Sequence, residues 1–78
     1  MSRKLVIAMK NAKEANTILM NEYVRKGEEC YKNNDFTGRD YWNERYFQLL
    51  SENDLIDMDI RRLKEEMNRD ETNSTTRH

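Results

Sequence analysis

Eight residues in the second half of the chain, Trp42, Tyr46, Leu49, Asn53, Ile56, Ile60, Leu63 and Met67, follow one another at alternating steps of four and three. Such steps average 3.5 residues, close to one helical turn, so all eight fall on one narrow stripe of a single helix. Asp57, Arg61, Glu65 and Arg69 alternate in sign at four-residue steps on the outer face, and each such pair adds about 0.2–0.5 kcal/mol to a solvated helix. Ser51, with Asp54 three residues on, offers an N-cap and hence a bend or a new helix start. The stripe keeps its phase across Ser51–Asp54, which favours a continuous helix over residues 39–69.

The first half repeats the spacing more faintly, through Leu5, Met9, Ala12, Asn16, Leu19, Tyr23, Lys26 and Cys30. Ala8, Ala15, Met20, Val24 and Tyr31 widen that stripe, and the pattern predicts a helix over residues 3–32. A β-strand at Lys4–Met9 is disfavoured, because no glycine-rich loop and no partner strand follow it. The turn formers inside the chain cluster at Lys32–Gly38, placing a turn at 33–38, with Thr37 and Asp40 in the positions of a capping box. No apolar residue follows Met67, so residues 71–78 are expected to be a disordered tail.

Folding the chain back at Asn34–Asp35 pairs the stripes through positions that sum to 68 or 69. Trp42 then faces Gly27, Tyr46 faces Tyr23, Leu49 faces Leu19 and Asn53 faces Asn16. Ile56 faces Ala12, Ile60 faces Met9 and Leu63 faces Leu5. The largest side chain meets the smallest, and the two asparagines share a layer, where a buried polar pair fixes register. Arg3 and Lys4 approach Glu65 and Glu66, and Lys10 approaches Asp59. The expected fold is all-α, an antiparallel helical hairpin of two long helices.

Composition narrows function. The 78 residues make one domain, 37% charged and 36% hydrophobic, with a mean hydropathy of −1.16, no proline and two glycines. A large β-sandwich or a catalytic α/β fold needs turn residues this chain lacks. The longest apolar run, Leu5–Met9, is too short for a membrane span or secretory signal, so a cytoplasmic location is expected. One cysteine excludes an intramolecular disulfide, and His78 alone cannot build a histidine-based metal site; no cofactor is expected. Cys30 reads as a small core residue, and Asp57/Asp59 and Glu65/Glu66 are spaced so that neither pair converges on one helix face. The chain is not expected to be an enzyme.

Residues 27–42, with Gly27, Tyr31, Asp35–Phe36 and Gly38, resemble the centre of a tetratricopeptide repeat. Asn34 and Gly38 stand where that repeat prefers Gly and Ala, and there is no second copy, whereas a solenoid needs about three. The likeness is the shared chemistry of helical hairpins and assigns no family.

Too many apolar residues lie off the stripes for two helices to cover: Val6, Ile7, Met20, Val24, Tyr41, Phe47, Leu50, Leu55 and Met58. Either two hairpins pair into a four-helix bundle, making a homodimer, or the hairpin docks on another protein. Tyr41, Phe47 and Leu50, with Arg39 and Arg45, are the candidate interface, because aromatics and arginine anchor interfaces most often. The expected function is a non-enzymatic interaction or regulatory accessory protein; phage and other mobile elements often carry proteins of this size. The alternative is a nucleic-acid accessory protein. Residues 1–26 hold six basic side chains (Arg3, Lys4, Lys10, Lys13, Arg25 and Lys26) against two acidic ones, although the chain's net charge is −1.

Overall fold

The computed structural model describes the backbone of residues 2–76 and the side chains of residues 3–69. Two helices, α1 (Ser2–Lys32) and α2 (Phe36–Thr76), pack antiparallel into a rod of 67 × 15 × 13 Å. Helix α2 is unbroken through Ser51–Asp54, as the phase of its stripe requires. It continues to Thr76, so the segment expected as a tail is helical through that residue, and residues 77 and 78 lie outside the described residues. No glycine or proline interrupts the chain after Met67, which is why nothing local stops the helix there.

The turn is shorter than the sequence suggests, spanning 33–35 rather than 33–38. Asn34 adopts a left-handed backbone with φ of 59°. The Asn34 amide donates to the Tyr31 carbonyl at 3.1 Å, and the Asp35 amide donates to the Cys30 carbonyl at 2.8 Å. This pair of bonds is a Schellman ending, with asparagine supplying the left-handed residue that glycine usually provides. Asp35 then opens α2: its Oδ1 accepts from the Gly38 amide and its carbonyl from the Arg39 amide, both at 3.0 Å. The N-cap is therefore Asp35 and not Thr37, which lies inside the first turn. A carboxylate here satisfies an orphan amide and meets the positive end of the helix dipole, together about 1 kcal/mol. Gly38 leaves room for it, since a Cβ there would run into the Asp35 carboxylate and sit 2.9 Å from Cys30 Sγ.

Every residue of the α2 stripe from Trp42 to Met67 is buried or half-buried. On α1 the inward residues are Val6, Met9, Lys13, Asn16, Met20, Tyr23, Gly27 and Cys30. Met9, Asn16, Tyr23 and Cys30 stand as the spacing predicts, whereas Leu5, Ala12, Leu19 and Lys26 yield to the next residue along. The Asn16–Asn53 layer forms, with Asn16 Nδ2 donating to Asn53 Oδ1 at 3.0 Å. Among the described residues the ion pair that crosses between helices is Lys13–Asp57 at 2.7 Å. The expected pairings of Arg3, Lys4 and Lys10 with Glu65, Glu66 and Asp59 are not among them. Turning α1 by one residue moves Lys10 to the flank opposite Asp59.

This register also explains where the stripe stops. Positions that face each other sum to about 69, so Met67 lies level with Ser2, and α2 beyond it has no α1 alongside.

Gly27 faces Trp42 as expected, but the space is not limited to glycine. A methyl group there would lie 3.8 Å from Trp42 Cβ and 3.4 Å from Asn43 Oδ1, in ordinary contact. Helix propensity then decides, and Gly27→Ala should stabilise the fold by about 1 kcal/mol. Thermal unfolding followed by circular dichroism should show a rise of about 4–8 °C. A lower Tm would show that Asn43 cannot give way.

Candidate protein-interaction surface

Around the turn end, the aromatic residues divide between two flanks of the rod. On one flank Tyr23 stacks on Trp42 with centroids 5.5 Å apart, and Tyr41 meets Trp42 edge-on at 4.9 Å. The chain's own cations cover these rings. Lys26 Nζ lies 5.3 Å over Trp42, and the Arg45 guanidinium sits 5.4 Å from the Tyr23 ring and 5.7 Å from that of Tyr41. Hydrogen bonding to Tyr23, followed by the electrostatic effect of Tyr41, pushes the Arg45 pKa further up. Contacts of this kind are worth about 0.5–1 kcal/mol each at exposed sites. Tyr41 and Arg45 are thus engaged within the hairpin.

The other flank carries an open groove of about 430 Å³. Val24, Gly27 and Tyr31 of α1 and Asn43, Tyr46 and Phe47 of α2 line it, because residues three, four and seven apart share a helix face. Gly27 makes the floor low. Phe47 is 60% exposed and Tyr31 57%. Phe36 extends the apolar surface toward the turn, 5.9 Å from the Tyr31 ring. Leu50 extends it the other way, one turn beyond Phe47. Arg39 lies over both Tyr31 and Phe36, at 5.7 and 5.3 Å, and its Nε is buried there without a hydrogen-bond partner.

Of the five residues proposed from sequence, the structure gathers Arg39, Phe47 and Leu50 on this flank and places Tyr41 and Arg45 on the other. Sequence reasoning missed Val24, Tyr31 and Phe36 as members of the patch. Val24 and Tyr31 were visible as residues seven apart, but a one-residue error in the phase of α1 hides which flank they occupy.

The six basic residues do not make one face. Lys13 turns inward to Asp57, Lys26 covers Trp42, and Arg25 pairs with Glu22 at 3.3 Å. Helical spacing puts Arg3 and Lys10 on the groove flank and Lys4 outward.

Cys30 is half-buried and unpaired. Burial first, and then the Asp35 carboxylate, pushes its thiol pKa up, so it is held protonated and poorly nucleophilic. Among the described residues no group of three or more His, Cys, Asp or Glu side chains is placed to hold a metal, and no helix is long and apolar enough to cross a membrane. No protein-family model, curated protein or solved structure matches the chain.

Proposed function

We propose that this chain is a small non-enzymatic interaction protein, acting as a regulatory or accessory subunit that covers its groove flank with another protein chain. The observation that carries the reading is the cluster of exposed apolar side chains around the groove. Among the described residues only Val6, Met20 and Ile60 form a buried apolar core, while Tyr31, Phe36 and Phe47 stay about half exposed or more. Large apolar side chains left together beside a low floor are what a partner surface requires. A cytoplasmic setting fits this role, because a lone thiol such as Cys30 stays reduced there.

The test is affinity capture from the native cells with tagged wild-type protein and with Phe47→Asp. A protein retained by the wild type and released by the variant is the expected result. Equal retention by both, or none by either, overturns the reading.

A further inference from the structure

We draw no further inference here: the strongest candidate, the apolar groove lined by Val24, Tyr31 and Phe47 on one flank of the hairpin, belongs to the site already described, and nothing in the structure shows what covers it.

Discussion

Trp42→Ala should lower the melting temperature by at least about 12 °C. The indole joins the two helices at the turn end. It stacks on Tyr23, takes Tyr41 edge-on and lies under the Lys26 ammonium, and its Cβ faces Gly27, 3.8 Å from where a Cβ there would sit. Removing a buried Trp costs about 3–5 kcal/mol, and the half-buried position of Trp42 places it at the low end, about 3 kcal/mol. In a domain of this length each kcal/mol is worth about 4–8 °C. A 78-residue chain in which, among the described residues, Val6, Met20 and Ile60 are the buried apolar side chains has only a few kcal/mol to lose. Trp42→Phe keeps a ring for Tyr23 and Lys26 and should recover more than half of the loss. Thermal denaturation by circular dichroism reads both variants, and a shift of under about 2 °C for Trp42→Ala would mean that the ring cluster contributes nothing to the fold.

The two helices differ in how far their sequences disclose them. In α2 apolar neighbours such as Tyr41, Phe47, Leu50 and Leu55 flank the stripe, yet all eight stripe residues, Trp42 to Met67, face α1. The unbroken run of four- and three-residue steps there marks the inward face. In α1 spacing and hydropathy conflict. Leu5 and Leu19 are as apolar as the Val6 and Met20 beside them, and choosing the leucines rotates the helix by one residue at every other position. Lys13 misleads further: its stem crosses the seam while its ammonium reaches Asp57, so a residue read as surface lies between the helices. The asparagine layer survives the error because Asn16 belongs to the half of the stripe that both phases share.

The turn departs from its sequence signature for a different reason. Thr37 and Asp40 have the spacing of a capping box, but a cap competes with its neighbours for the same helix start. Asp35 wins because the Schellman ending of α1 has already fixed its backbone, leaving its carboxylate over the Gly38 amide. That outcome depends on Asn34 taking a left-handed φ, which composition permits without requiring it. The patch inherits both errors. The turn expected at 33–38 includes Phe36, which is the first residue of α2, and the flank that Tyr31 and Val24 occupy follows only from the phase of α1.

Asn53→Asp should be about as costly as Trp42→Ala at neutral pH, although it alters a single group. Asn53 is 5% exposed. Its Oδ1 accepts from Asn16, while its Nδ2 faces the Lys13 carbonyl and Thr17 Oγ1, each at 3.5 Å, and Met20 Sδ at 3.6 Å. Thr17 already donates its hydroxyl to the Lys13 carbonyl at 3.0 Å. A carboxylate oxygen replacing Nδ2 therefore meets electron-rich atoms on every side, and the Lys13 ammonium is committed to Asp57. An unpaired buried charge of this kind costs about 3 kcal/mol. Burial raises the carboxyl pKa of the folded variant above the ordinary 3.9. The penalty is therefore full above the folded-state pKa, shrinks as pH falls through it, and is relieved below the unfolded value. The Tm difference from wild type should be widest near pH 7 and narrow toward pH 4; a difference that stays constant over that range would mean the carboxylate finds water or a cation. Asn53→Leu separates stability from register. It removes the polar atoms of Asn53 and leaves only the half-exposed Asn16 amide to find water, so Tm should fall by less than in Asn53→Asp. With the layer gone, only the partly exposed Lys13–Asp57 pair is left as a polar contact opposing sliding of the two stripes by a heptad, and sedimentation should resolve altered or mixed masses. A single unchanged mass with a sharply lower Tm would show that the asparagine pair contributes to stability and leaves register to the turn.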